Sequence, residues 1–262
     1  MSGDRDSFGP GGGVDSSADY PTIPYADIET VTLDIGNTLV SMDFDWMAAE
    51  CRSRGVLCEA ELLRRAEAAA RPGFRPERGM DDERVAQRVF EGYLRGILHR
   101  LETMGVHYST SIPELIAELS LAMRAAGGTR RLWSSIMPGV REALAGMRAL
   151  GLRLIVVSNS DGTAEAILSD IGLRGYLDAV IDSCQVGFEK PDPRIFQRAL
   201  GLAGSPPERT LHVGDLYAAD VVGARSVGIH AILLDPFGDW GDVDCVTFPD
   251  LLSVQRKLAA AQ

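Results

Sequence analysis

The chain has 262 residues, of which 45% are apolar, 24% charged and 6% aromatic, and its 26 Lys+Arg against 37 Asp+Glu give a formal net charge of −11. This length and apolar content suffice for a sizeable core and exclude a fibrous or wholly disordered chain. The acidic balance speaks against nucleic acid or an anionic membrane as partner. Cys51, Cys58, Cys184 and Cys245 are too few and too scattered for a disulfide framework and lack zinc-finger spacing. With no secretory pattern and no run of about 18 apolar residues, a cytoplasmic protein without a membrane segment is expected.

Residues 1 to about 28 contain GPGGGVDSSAD, too poor in apolar groups to offset the entropy of ordering, so a disordered tail is expected there. A β-branched run at 30–33 then reads as a buried strand that ends at Asp34 and a Gly-Asn turn. From Asp45 to about residue 126 the apolar spacing is helical, through DWMAAECRSRG, EAELLRRAEAAA, DDERVAQRVFEGYLRGILHRLETMG and SIPELIAELSLAMRAAG. After Pro138 helices and strands alternate. VREALAGMRALG is helical, LRLIVVS is a strand, and DGTAEAILSDIG is a helix opened by an Asp cap. Strands follow at 179–181, 210–213 and 230–234, separated by the helical PDPRIFQRALGLAG and AADVVGARSVG.

The pattern predicts an α/β fold, a Rossmann-like and mostly parallel sheet with helices on both faces, into which an all-helical unit is inserted after the first strand. The expected division is a tail at 1–28, a core at 29–40 and 134–262, and a helical cap at 41–133, with hinges near 40–45 and 133–138.

Ligands of open parallel sheets bind outside the carboxyl ends of the strands. Here those ends carry Asp34-Ile-Gly-Asn-Thr38, Ser158-Asn159, Phe188-Glu-Lys190-Pro191 and Gly214-Asp215, with Asp220 five residues on. An aspartate facing phosphorus can act as nucleophile and divide one hard displacement into two easier ones. A lysine and a hard divalent cation would relieve the repulsion between the two anions; Mg²⁺ takes oxygen ligands from one or two carboxylates and from phosphate. Asp34 and Asp215 suit such a cation, Lys190 the phosphate and the nucleophile, and the Ser158 hydroxyl a phosphoryl oxygen.

VTLDIGNTLV, LIVVSNS, VGFEKPDPRIF and LHVGDLYAAD resemble, in that order, the four motifs of the haloacid dehalogenase (HAD) superfamily, and the helical insert stands where that superfamily places its C1 cap. The resemblance implies Asp34 as nucleophile and Mg²⁺ ligand, and Lys190 as the group that steadies the charge. It further implies Thr38, Ser158, Asn159 and Lys190 around the phosphoryl group. Asp215 and the carbonyl of Gly36 would be further metal ligands, with Asp220 supporting the metal or orienting the lysine. The implied partner is a small phosphorylated metabolite, bound by a monomer or homodimer.

One departure matters. Family phosphatases place a second aspartate at position 36, which protonates the leaving oxygen; here it is Gly36. Such general acid help is worth about 10²–10⁴-fold. Three readings stay open. A phosphatase could replace the acid by a water in the glycine gap, by Asp43 or Asp45 of the cap, or by using substrates whose leaving group needs no proton. A dehalogenase would also lack the acid, but it would carry an aromatic there and need no metal. A binding homologue would have lost turnover.

The remaining candidates have plainer readings. His212 is expected as a packed core residue, and Trp46, Tyr93 and Trp133 as core or hinge packing. Arg71, Arg75 and Arg78 are expected in a solvated turn. A helix start near Asp161 could offer N–H groups to a phosphate.

Overall fold

The computed structural model describes residues 22–75, 83–125 and 127–262. Of the tail expectation, residues 1–21 lie outside the described residues, as does Arg78. Residues 22–28 depart from it. Ile23 and Ile28 are buried in the main core around a short 3-10 turn at Tyr25–Asp27, because two apolar side chains there find the sheet's flank to pack on.

The core begins with strand β1 (Thr30–Leu33), fully buried. After a short strand β2 (Val40–Ser41) come helices α1 (Phe44–Arg52), α2 (Ala60–Ala70), α3 (Glu83–Thr103), α4 (Ile112–Arg124) and α5 (Gly128–Leu132). Strand β3 (Ser135–Ile136) pairs antiparallel with β2, so the two chain crossings between sheet and helices form one two-stranded ribbon. The chain then runs through α6 (Val140–Ala149), β4 (Arg153–Ser158), α7 (Ala164–Asp170), β5 (Ala179–Asp182), α8 (Ser183–Val186) and α9 (Pro193–Ala203). It ends with β6 (Thr210–Gly214), α10 (Gly223–Arg225), β7 (His230–Leu234), β8 (Val246–Phe248) and α11 (Leu251–Ala259).

Six strands form one sheet in the order β5-β4-β1-β6-β7-β8, every neighbouring pair parallel. Near-continuous apolar strands such as LIVVS and HAILL are what a sheet covered on both faces demands. One covering cluster gathers Leu33, Leu144, Met147 and Leu154, the other Ile155, Val157, Phe196 and Leu233. Connections leave β1 in one direction toward β4 and β5 and return to its other side at β6. This places a crevice at the carboxyl ends of β1 and β6, where such sheets hold ligands.

Helices α1–α5 enclose a separate apolar cluster. On α3, Leu94, Ile97, Leu98 and Leu101 follow the spacing i, i+3, i+4, i+7 and are fully buried, the stripe an amphipathic helix presents to its neighbours. Helix α4 opens with a capping box between Ser111 and Glu114 that satisfies otherwise orphaned N–H groups. Among the described residues, no helix is long and apolar enough to cross a membrane. Strand β8 and helix α11 were not expected from sequence; VTF is short and half-exposed, so it carries little period to read.

Candidate active site

Asp34 leaves the end of β1 and is only 8% exposed. Lys190 donates from Nζ to Asp34 Oδ1 at 2.5 Å and to Asp220 Oδ1 at 2.7 Å, so the ammonium is clamped between two carboxylates. The Lys190 backbone is fixed in turn by Asn159. Lys190 N–H donates to Asn159 Oδ1 at 2.7 Å, and Asn159 Nδ2 donates to the Lys190 carbonyl at 2.9 Å. Both ends of the Asn159 amide are thus engaged in holding the lysine.

Asp220 is equally occupied. Oδ1 meets Lys190 and lies 3.0 Å from His212 Nε2, while Oδ2 accepts from Leu216 N–H at 2.9 Å. Asp220 thus positions the lysine, one of the two roles expected of it. His212 on β6 is buried as expected but is more than packing, since its Nδ1 lies 2.9 Å from Thr32 Oγ1 and its other nitrogen backs Asp220. Glycine at 214 is a steric requirement, for a Cβ there would lie 2.2 Å from Asp220 Cγ.

Burial would lower the pKa of Lys190, but Asp220 and Asp34 outweigh it and hold the ammonium above its usual range. Burial raises Asp34, opposed by Lys190 and reinforced by Asp220. Burial would likewise raise Asp220, yet Lys190 and His212 overcome it and keep the carboxyl below its usual range. Asp215, at the end of β6, is pushed well up by burial, with the negative charges of Asp34, Asp220 and Glu67 adding to that and Arg71 opposing it.

The helical insert supplies a second polar group. Asn37 adopts the left-handed conformation, φ 51°, which Asn tolerates through its short polar side chain. Its Nδ2 lies 3.0 Å from Glu67 Oε1, 3.2 Å from the Tyr93 hydroxyl and 3.2 Å from Asp215 Oδ2. Tyr93 donates a short hydrogen bond to Glu67, and burial together with Glu67 raises the phenol's pKa. Arg71 donates to both Glu67 oxygens, from Nε at 2.9 Å and from Nη2 at 2.6 Å, and its Nε stands 3.4 Å from Asp215 Oδ2. Burial alone would lower the Arg71 pKa, but Glu67 and Asp215 reverse this.

Arg71 is therefore buried beside the strand ends, not in the solvated turn expected of it; Arg75 is exposed. Glu67, Arg71 and Asn37 were missed as site residues, although a signal existed. Glu67 and Arg71 are spaced i, i+4 next to the apolar Leu63, Ala66 and Ala70, and a charged pair on a buried stripe calls for a partner.

The charge balance of the site leaves room for a divalent cation, although among the described residues no three His, Cys, Asp or Glu side chains group as metal ligands. Four buried carboxylates, Asp34, Asp215, Asp220 and Glu67, face two buried cations, Lys190 and Arg71, a formal excess of two negative charges when all are ionised. The buried Thr38 Oγ1 and Asn37 Oδ1 have no hydrogen-bond partner, polar atoms that a phosphoryl group or hydrated ion would satisfy. Asp34, Asp215 and the Gly36 carbonyl offer hard oxygen atoms suited to Mg²⁺. Ser158 is buried at the end of β4, the strand that pairs with β1.

The glycine gap is lined by aromatic carbon. A Cβ built on Gly36 would lie 3.4 Å from Trp133 Cζ3 and 3.8 Å from Asp34 Oδ2. The indole edge thus borders the gap that the missing side chain leaves, at ordinary contact distance. Asp43 caps α1 by accepting from Trp46 N–H at 2.8 Å, and Asp45 is exposed. The helix start near Asp161 is also taken, because Gly162 and Ala164 N–H both donate to the Asp182 carboxylate, each at 3.2 Å.

A sequence profile described as "haloacid dehalogenase-like hydrolase" matches residues 28–228. The human haloacid dehalogenase-like hydrolase domain-containing protein 3 is 46% identical over 99 residues, 38% of this chain and 39% of that protein. A glyceraldehyde 3-phosphate phosphatase of Methanothermobacter thermautotrophicus is 37% identical over 99 residues, 37% of this chain and 44% of that protein. The matched stretch thus spans less than half the length of either relative. The crystal structure of a HAD phosphatase from Thermococcus onnurineus superposes with a TM-score of 0.56 over 88% of this chain and 98% of that one, at 21% identity, a likeness of fold.

Proposed function

This chain belongs to the haloacid dehalogenase-like hydrolase family, and we propose that it is a Mg²⁺-dependent phosphatase acting on a small phosphorylated metabolite through an aspartyl-phosphate at Asp34. The observation that carries the reading is the Asp34–Lys190–Asp220 clamp at the strand ends, with Asp215 buried at the end of the neighbouring strand β6. The phosphatase activity named for the Methanothermobacter relative supports it.

In this reading Asp34 attacks phosphorus, and the leaving group departs with the bonding electron pair. Lys190, kept charged by Asp220, holds the nucleophile in place and offsets the charge that gathers on the phosphoryl oxygens. Thr38 and Ser158 bind those oxygens by their hydroxyls. When bound at Asp34, Asp215 and the Gly36 carbonyl, Mg²⁺ supplies positive charge to the same oxygens. Water then hydrolyses the acyl phosphate and restores Asp34. Helices α1–α5 act as the cap, with the β2–β3 ribbon as hinge, closing to exclude water from the first step.

Because Gly36 and Trp133 place no proton donor beside the leaving oxygen, substrates with stable leaving groups, aryl and acyl phosphates, should be favoured over alkyl phosphates. A phosphate-binding homologue without turnover is the second reading, favoured by the same glycine. A panel of phosphate esters and haloacids, run with Mg²⁺ and with chelator, tests both. Phosphate release that needs Mg²⁺ is expected. Metal-independent halide release, or no release from any ester, would overturn the proposal.

A further inference from the structure

We propose that Arg71 is a tethered cation that shares Asp215 with the divalent metal and opposes its binding, so that metal affinity is set partly by a side chain of the helical insert. The inference rests on the reading of Asp215 as a metal ligand. Arg71 sits at the carboxyl end of α2 and is 4% exposed. Its guanidinium is held on both Glu67 oxygens, and that grip brings Nε to 3.4 Å from Asp215 Oδ2. The same Asp215 oxygen lies 3.2 Å from Asn37 Nδ2. Asp215 is thus neutralised on one side by a positive charge that is part of the chain.

The placement has a further consequence. Glu67, Arg71 and Tyr93 come from the helical insert, whereas Asn37 and Asp215 come from loops at the sheet edge. A divalent ion drawn to Asp215 would repel the guanidinium that stands 3.4 Å from that carboxylate and would weaken one of the polar contacts tying the two parts together. Metal loading and closure of the insert are then opposed unless an anionic substrate enters to separate the two positive charges. A phosphoryl group between ion and guanidinium would do so, satisfying Arg71 with bidentate geometry of the kind that Arg offers to phosphate.

Calorimetric titration with Mg²⁺ tests this on the full chain, comparing the wild type with Arg71→Met and with Glu67→Gln/Arg71→Met. The double variant keeps the total charge of the site, because it loses the Glu67 carboxylate together with the cation nearest Asp215, so it separates a local effect from a general one. It also leaves neither half of the Glu67–Arg71 pair behind, and it decides the matter if Arg71→Met alone fails to fold. Both variants should bind Mg²⁺ about tenfold more tightly or better, and adding Asp215→Asn to the double variant should abolish the gain. A double variant that binds Mg²⁺ as the wild type does, or more weakly, overturns the inference while leaving the phosphatase reading in place. Failure of all three proteins to bind Mg²⁺ removes the metal reading itself, and this inference with it.

Discussion

Replacing Asp220 by asparagine keeps the volume of the side chain but removes its charge and one of its two acceptor oxygens. In the folded chain those oxygens serve Lys190 Nζ at 2.7 Å, His212 Nε2 at 3.0 Å and Leu216 N–H at 2.9 Å. A charge-assisted bond is worth about 1.5–3 kcal/mol, and a buried donor left unpaired costs about 1–3 kcal/mol. One loss of each kind puts Asp220→Asn in the range of about 3–5 kcal/mol that follows when a buried ion pair is broken. The pH dependence has a definite sign. Lys190 and His212 outweigh burial and hold the Asp220 pKa below its ordinary 3.8, so its contribution is present above that value and is lost as pH falls through the lower folded value. Urea unfolding at a series of pH values should therefore show the full gap between wild type and variant at neutral pH, shrinking below about pH 4. Turnover should fall about a hundredfold through the loosened lysine, with Mg²⁺ affinity little changed. A variant as stable as the wild type, or one that loses Mg²⁺ binding without losing stability, would refute the assignment of Asp220 as a positioning residue.

Asp34→Asn should lower turnover by more than about 10⁴-fold, measured as phosphate release. Its stability should change by less than about 2 kcal/mol in urea, because Lys190 keeps Asp220 and the repulsion from neighbouring carboxylates is relieved. Gly36→Asp has a permitted backbone and ordinary contact at Cβ, 3.4 Å from Trp133. It should raise the rate on alkyl relative to aryl phosphates by about tenfold or more, alone or combined with Trp133→Leu, and an unchanged ratio in both would contradict the account of the gap. Asp34 and Asp215 are raised by burial, so their contribution to stability is present below the unfolded value and is lost as pH rises through the folded one. Mg²⁺ at about a hundredfold excess over its Kd should raise Tm by about 5–10 °C near neutral pH and by less toward pH 4. A shift that is flat with pH would count against carboxylate ligation.

Several parts of this site are legible in the sequence because strand and turn chemistry fix them locally. A β-branched run that stops at Asp34 puts a carboxylate at a strand end, and GD after another apolar run does the same for Asp215. The clamp on Lys190 follows once both strands lie in one parallel sheet. Asn159 is legible as a site residue but its grip on the Lys190 backbone is revealed only by coordinates, whereas Asp220 takes one of the two roles expected of it, orienting the lysine. The contribution of the insert is harder to read. Arg71 and Tyr93 meet Asp215 and Asn37 through packing between α2, α3 and the sheet edge, contacts that join residues far apart in the chain and leave no local period. The Glu67–Arg71 pair was the visible trace, a charged i, i+4 step on a stripe otherwise made of Leu and Ala. Trp133 reads as hinge packing from sequence, and its ring edge over Gly36 depends on the path of the chain back into β3.

The most direct measurement is covalent trapping. The protein is mixed with Mg²⁺ and an aryl or acyl phosphate, quenched in acid, digested and mapped by mass spectrometry. The account predicts one phosphoryl group on the peptide bearing Asp34, removed by hydroxylamine and missing from Asp34→Asn. Turnover with no adduct in the quenched protein, or a phosphoryl group on any other side chain, would contradict it.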